Sequence, residues 1–114
     1  WCGTCDEQSK TISELHDFLS ENNIRSVEVF VQESTTRVQK YFAGKGYRRP
    51  DQILLDDGEI AKKLNVYVIP RLILVDENYR VYRDGGNLSN SGLREKLEQM
   101  LASHQGAKTP RTPK

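Results

Sequence analysis

The sequence begins Trp1-Cys2-Gly3-Thr4-Cys5, and this stretch holds both cysteines of the chain. Two thiols separated by two residues can form a redox-active pair, close a structural disulfide, supply half of a zinc site, or have no role. A disulfide across two residues closes a minimal loop and adds little stability. A zinc site needs two further ligands, and the two histidines, His16 and His104, lie far along the chain. We therefore favour a redox-active pair over a structural disulfide, a zinc site or no role.

A helix is predicted to follow the motif and to run to about Asn22. Its apolar residues recur at helical spacing: Ile12, Leu15, Phe18 and Leu19. The first turn of a helix presents free backbone N–H groups and a partial positive charge. Both favour a thiolate, so the pKa of Cys2 is expected to fall from about 8.5 toward about 7. Cys5 is expected to be shielded and to keep a higher pKa, and Gly3 to give the backbone freedom that a tight turn needs.

Helix-like and strand-like segments alternate along the rest of the chain. They are a strand at 24–31, a helix at 34–46 and a short apolar segment at 53–55. Ser34 or Thr35 is the candidate N-cap of that helix, and Gly44 or Gly46 its candidate end. A short helix capped by Asp56 or Asp57 follows and is expected to bury Ile60, Ala61 and Leu64. A hairpin of 72–75 and 79–83 and a helix capped by Ser89 or Ser91 complete the order. This order indicates one α/β domain over residues 1–103. Residues 104–114 are basic, contain two prolines and are predicted to form a flexible tail.

Charge and hydropathy narrow the class of partner. The 17 basic and 16 acidic residues leave a net charge of +1, which gives no support to nucleic acid or an anionic membrane as a partner. No apolar run approaches the roughly 20 residues that a membrane-spanning helix needs.

Three stretches together resemble the thioredoxin superfamily, and within it the TlpA/ResA-like thiol–disulfide oxidoreductases of bacterial cell envelopes. They are the WCGTC motif, the run DDGEIAKKLNVYVIP at 56–70, and the run LILVDENYRVY at 72–82. The resemblance spans residues 1 to about 103. It implies a thioredoxin-like fold, in which helices flank a central mixed sheet. It also implies that Cys2 is the attacking cysteine and Cys5 the resolving one.

The resemblance extends to a substrate-binding loop. Ile69-Pro70 matches the loop in which the family carries a cis proline facing the cysteines, and the residue before that proline pairs with an extended substrate segment. Trp1 is expected to form an apolar flank for a partner. The alternative is an ordinary trans proline at the start of an edge strand. Arg71 departs from the small polar residues common there, and we favour a surface role for it over stabilisation of the Cys2 thiolate.

The superfamily also places a strand ahead of the motif, in the centre of the sheet. We expect residues preceding Trp1, or another chain, to supply that strand, because the strands at 24–31 and 72–75 would otherwise each lack a partner. In many members a buried acid on that strand assists proton transfer. Glu28 lies on a different strand and is not assigned that role.

These observations predict a thiol–disulfide oxidoreductase that exchanges disulfides with protein substrates through Cys2 and Cys5. A separate redox partner protein is expected, with no organic cofactor and no metal. Resemblance alone implies an extracytoplasmic location, in the bacterial periplasm or anchored to the membrane, and a monomer once the central strand is present. The alternative is a thioredoxin-fold scaffold or protein-interaction domain whose cysteine pair is an inert disulfide.

Overall fold

The chain forms two compact units, Trp1–Ile69 and Pro70–Lys114. The computed structural model describes the backbone of residues 2–111 and the side chains of residues 2–103. The elements of the first unit are α1 (Gly3–Glu14), α2 (His16–Glu21), β1 (Val27–Val31), α3 (Thr35–Lys45), β2 (Gln52–Asp56) and α4 (Glu59–Lys63). Those of the second unit are β3 (Leu72–Val75), β4 (Val81–Gly85) and α5 (Asn90–Arg111).

A parallel strand pair forms the sheet of the first unit. β1 pairs with β2, with Val29 opposite Leu54, and α3 makes the crossover that a parallel pair requires. The strand predicted at 24–31 is confirmed over its last five residues, Val27–Val31. The segment at 53–55 was not assigned to any element from its pattern, and it forms most of β2.

The helix predicted at 34–46 is confirmed together with both of its ends. The Ser34 hydroxyl caps α3 by accepting the N–H of Arg37 at 3.2 Å. Gly46 ends the helix in the left-handed conformation, at φ 69°, which glycine adopts without steric cost. The apolar stripe of α3 packs on β1, forming a cluster of Phe30, Val38 and Phe42 against which Tyr41, Tyr47 and Ile53 pack.

The first predicted helix is interrupted. Leu15, at φ −91° and ψ 8°, ends α1, and α2 begins at the next residue. Of the predicted apolar stripe, Leu15 and Leu19 are buried, and Ile12 and Phe18 are half-buried. The buried residues within α1 itself are polar: Gln8, Ser9 and Thr11. Neither glycine nor proline marks the break, which explains why the pattern predicted one helix.

The short helix α4 begins with the predicted carboxylate cap. Asp56 is 5% exposed and accepts the N–H groups of Ile60 at 2.9 Å and Ala61 at 3.0 Å. Gly58 occupies the N-cap position at φ 118°. The prediction that this helix buries Ile60, Ala61 and Leu64 is wrong, since Ile60 and Ala61 are half-buried and Leu64 is 48% exposed. The helix ends at Lys63, so Leu64 lies at its C-cap rather than on its apolar face.

An antiparallel hairpin and a long helix make up the second unit. β3 and β4 pair with Leu72 opposite Gly85. The Asp76 carboxylate organises the turn by accepting the N–H groups of Asn78 at 2.8 Å and Arg80 at 3.0 Å. Because that turn extends to Arg80, the second strand starts at 81 rather than at the predicted 79. The buried apolar residues of α5 are Leu93, Leu97 and Met100.

The N-terminal end of α5 agrees with the prediction. The Ser89 hydroxyl accepts the N–H of Gly92 at 3.2 Å, which confirms the predicted cap. The helix backbone continues to Arg111, and the domain boundary at residue 103 stays a prediction. The side chains of the predicted tail, 104–114, lie outside the described residues.

The strands of the described residues form two separate two-stranded sheets. Over residues 2–111, β1 pairs with β2 alone and β3 pairs with β4 alone. The two strands that were expected to flank a central strand therefore each have one hydrogen-bonded neighbour in the described part of the chain.

Candidate active site

Cys2 and Cys5 form a disulfide at the beginning of α1. Their Cα atoms lie 5.1 Å apart, one helical turn in sequence. Cys2 is the N-cap residue, with extended backbone angles of φ −96° and ψ 106°, and Cys5 is the third residue of the helix. The predicted placement of the motif at a helix N-terminus is thus confirmed.

Hydrogen-bond donors of the first turn surround the Cys2 sulfur. The backbone N–H of Cys5 donates to Cys2 Sγ at 3.1 Å, and the Thr4 hydroxyl lies 3.8 Å from the same atom. In the reduced protein, this N–H and the positive end of the helix would stabilise a Cys2 thiolate.

The residues beside the two cysteines differ in their roles. Gly3 lies within α1, and a Cβ built there would meet nothing within 4 Å. A larger residue would therefore fit at position 3, and the prediction that this turn needs the backbone freedom of glycine is wrong. Trp1, the predicted apolar flank, lies outside the described residues.

Asp6, the residue after Cys5, lies at the centre of a polar cluster that the sequence pattern did not reveal. Its carboxylate accepts the hydroxyl of Tyr41 at 2.7 Å and that of Tyr47 at 3.3 Å. The Lys45 ammonium lies 3.5 Å from Asp6 Oδ2. The hydrogen bond from Tyr41 is the main reason that the pKa of Asp6 lies below its ordinary value, with Lys45 and Tyr47 acting in the same direction against desolvation.

Glu28 is a half-buried carboxyl group on β1 that faces α1. Its Oε1 accepts the Ser9 hydroxyl at 2.6 Å, and Ser9 is one turn beyond Cys5 on the same helix. Burial raises the pKa of Glu28 above its ordinary value of 4.5, and the Ser9 hydrogen bond opposes this only in part. The folded protein thus favours the neutral form of Glu28 more than the unfolded chain does.

The unfolding free energy of the wild type is expected to fall as pH rises, and Glu28→Gln is expected to make it less dependent on pH. Because the folded-state pKa is raised, the stabilising contribution of neutral Glu28 is complete below pH 4.5 and is lost as pH rises through the folded pKa. Glutamine stays neutral and can still accept the Ser9 hydrogen bond. Urea denaturation at pH 4.5 and pH 8 measures the difference in unfolding free energy.

Glu21→Gln is the matched control for this substitution, because Glu21 is an exposed carboxylate at the end of α2. We expect it to leave the pH dependence of stability as in the wild type. An unchanged pH dependence in Glu28→Gln would contradict the role assigned to Glu28.

The predicted substrate loop lies between α4 and β3. Ile69 is 55% exposed and ends the first unit, and Pro70 begins the second. The cis peptide bond and the pairing of Ile69 with substrate stay predictions. Arg71 makes a bidentate ion pair with Asp84 of β4, in which Nη2 donates to Oδ2 at 2.7 Å. This contact agrees with the surface role favoured for Arg71.

Two further properties concern metals and membranes. Among the residues with described side chains, 2–103, no three His, Cys, Asp or Glu side chains converge as metal ligands would. Over the same described part of the chain, none of the helices has the length and apolar character that a membrane span requires.

The sequence of the chain matches one protein family, and its fold is similar to that of two solved structures. The Redoxin family profile matches residues 1–101. The structure is similar to that of StoA from Bacillus subtilis, with a TM-score of 0.70, 20% identity, and coverage of 85% of this chain and 75% of that chain. It is also similar to a thioredoxin-like protein from Aeropyrum pernix, with a TM-score of 0.67, 19% identity, and coverage of 87% and 71%. No protein of curated function matches the sequence.

Proposed function

The chain belongs to the redoxin family and has a thioredoxin-like fold, and from this we propose that it is a thiol–disulfide oxidoreductase acting on proteins. The family match confirms the resemblance to the thioredoxin superfamily on which the TlpA/ResA-like assignment was based. The single observation that carries the proposal is the Cys2–Cys5 disulfide at the N-terminus of α1.

The proposed reaction, in the reducing direction, is a pair of thiolate attacks, and the same steps in reverse oxidise a substrate dithiol. The Cys2 thiolate attacks one sulfur of a substrate disulfide, forming a mixed disulfide and releasing the other substrate sulfur as a thiolate. The Cys5 thiolate then attacks Cys2 Sγ, expels the second substrate thiolate and leaves the Cys2–Cys5 disulfide. The substrate gains two electrons, and the disulfide seen here is the oxidised product.

A complete cycle needs a second protein. A redox partner must return two electrons to the Cys2–Cys5 disulfide, and no organic cofactor is needed in the proposed reaction. An extended substrate segment would lie along Trp1, Ile69 and Pro70, by the family resemblance. The same resemblance supports an extracytoplasmic location in the bacterial cell envelope.

Insulin reduction in the presence of dithiothreitol tests the proposed activity. The reduced protein is expected to accelerate precipitation of the insulin B chain. The same protein with both cysteines alkylated by iodoacetamide is the control and should match dithiothreitol alone. Equal turbidity rates for the two samples would favour the scaffold function, in which the cysteine pair is inert.

The reduction potential of the Cys2–Cys5 couple distinguishes a redox pair from a structural disulfide. Structural disulfides typically have potentials below about −300 mV, and labile or catalytic ones have higher potentials. Equilibration in glutathione buffers, followed by alkylation and mass spectrometry, measures it. A potential above about −300 mV supports the proposed activity, and its value decides whether the protein acts as a reductant or an oxidant.

A further inference from the structure

The Asp6 cluster, consisting of Asp6, Tyr41, Lys45 and Tyr47, joins the redox helix to α3 and the loop after it. The two tyrosine hydroxyls donate to the carboxylate, and the lysine supplies a positive charge 3.5 Å away. These contacts are between residues 35 to 41 positions apart in sequence. They hold the Asp6 side chain against α3 rather than in solvent.

Asp6 is also one helical turn from the attacking sulfur. Its backbone N–H donates to the carbonyl oxygen of Cys2 at 3.1 Å. Cys2 is the N-cap and Asp6 the fourth residue of α1, so this hydrogen bond closes the first turn of the helix between them. A carboxylate one turn from the sulfur disfavours a second negative charge, so Asp6 opposes the formation of a Cys2 thiolate.

The charge of Asp6 is constant over the pH range in which thiols titrate, because its contacts keep its carboxyl ionised. The other titratable groups around it fall into two sets. Those facing it from the neighbouring segments are Tyr41 and Lys45 of α3 and Tyr47 of the following loop. On its own helix, Cys2 precedes it by one turn and Lys10 follows by one turn.

We propose, on the premise that Cys2 is the attacking thiol, that Asp6 and Lys45 are opposing positioning residues that set the reactivity of Cys2. Asp6 disfavours the thiolate, and Lys45, held beside the same carboxylate, offsets part of that effect. The two tyrosine hydroxyls restrain the carboxylate that carries this charge. A more stable thiolate stabilises the reduced protein, so the same pair shifts the Cys2–Cys5 couple between reducing and oxidising behaviour.

Alkylation of a single-thiol protein across a pH series tests this proposal. In a Cys5→Ser background, Cys2 is the only thiol, and its reaction with iodoacetamide is followed by mass spectrometry from pH 5 to pH 10. Asp6→Asn should lower the apparent pKa of Cys2, and Lys45→Met should raise it. Below the pKa, the alkylation rate should rise about two- to fivefold in the first variant and fall by a similar factor in the second.

Lys40→Met is the matched control, since it removes the same charge from an exposed position on α3. It should shift the alkylation profile less than Lys45→Met does. The shifts of both test variants should shrink in 1 M salt, because partly exposed charges are screened. A purely structural role for the cluster would not produce opposite shifts from the two substitutions.

The outcomes separate this proposal from the proposed function. If Cys2 in the Cys5→Ser parent titrates near 8.5, as free cysteine does, the premise fails whatever the variants show. If Cys2 titrates low but the two substitutions shift it in the same direction, or no further than Lys40→Met, the positioning proposal is overturned. Should Asp6→Asn lose its far-UV circular dichroism, Lys45→Met decides alone, because the Lys45 side chain is 47% exposed.

Discussion

Replacing Cys2 with serine is expected to lower the rate of insulin reduction by at least about 100-fold, because removing a covalent nucleophile eliminates the step on which the others depend. In the structure, Cys2 Sγ has the helix N–H donor that would stabilise a thiolate, at 3.1 Å from the Cys5 nitrogen. A serine hydroxyl at this position is not ionised at neutral pH and cannot attack a disulfide. The turbidity assay with dithiothreitol measures the loss.

Cys5→Ser is the matched substitution, because it removes one sulfur and the same disulfide but leaves the proposed nucleophile. It too should be slow in turnover, since the mixed disulfide can no longer be resolved from within the protein. It should differ in accumulating a covalent complex with a substrate protein. Non-reducing gel electrophoresis and mass spectrometry detect that complex, and dithiothreitol should release it.

The asymmetry between the two variants decides the roles of the cysteines. Covalent complexes are expected with Cys5→Ser and not with Cys2→Ser. The reverse pattern would assign the attack to Cys5, and equal trapping by both variants would contradict a fixed order of attack. Retention of wild-type activity by Cys2→Ser would rule out the proposed function.

Local signals explain which parts of the fold could be predicted from the sequence. The sequence predicts both ends of α3 to within two candidate residues each, because hydroxyl caps and terminal glycines are local signals, and the structure selects Ser34 and Gly46. β2 was not assigned because three apolar residues, 53–55, are too few to distinguish a strand from a buried helical segment. The break at Leu15 had no local signal at all.

In the candidate site, too, the residues with a local sequence signal were predicted and those that depend on distant contacts were not. Cys2 and Cys5 were predicted because their chemistry depends on two residues of spacing and on the helix that follows. The contacts of Asp6 with Tyr41, and of Glu28 with Ser9, join residues 35 and 19 positions apart. Such contacts depend on how α1 packs against α3 and β1, which a periodic pattern along the chain does not specify.

Phe42→Ala is expected to lower the unfolding free energy by about 3–5 kcal/mol, the usual cost of truncating a buried aromatic side chain. Phe42 is 2% exposed, and its ring packs edge-on against Phe30 at 5.9 Å and Tyr41 at 5.2 Å between centroids. Small domains have about 5–15 kcal/mol of total stability, so this loss is a large fraction of it. Urea denaturation followed by circular dichroism measures the change.

Two controls separate loss of packing from loss of an aromatic ring in general. Phe42→Leu keeps most of the volume and should cost less than half as much as the alanine variant. Tyr79→Ala removes a ring that is 92% exposed and should change the unfolding free energy by no more than about 0.5 kcal/mol. Similar losses from Phe42→Ala and Tyr79→Ala would contradict the assignment of Phe42 to the core.

The position of Phe42 connects this core to the redox helix. α3 carries Phe42 on the face that packs against β1, and it also carries Tyr41 and Lys45, which hold Asp6. If the core fixes α3, then loosening it should also weaken the contacts around Asp6. In the Cys5→Ser background, Phe42→Leu should therefore reduce the effect of Lys45→Met on Cys2 alkylation. An unaltered effect would mean that the Asp6 cluster holds its geometry independently of the core beneath it.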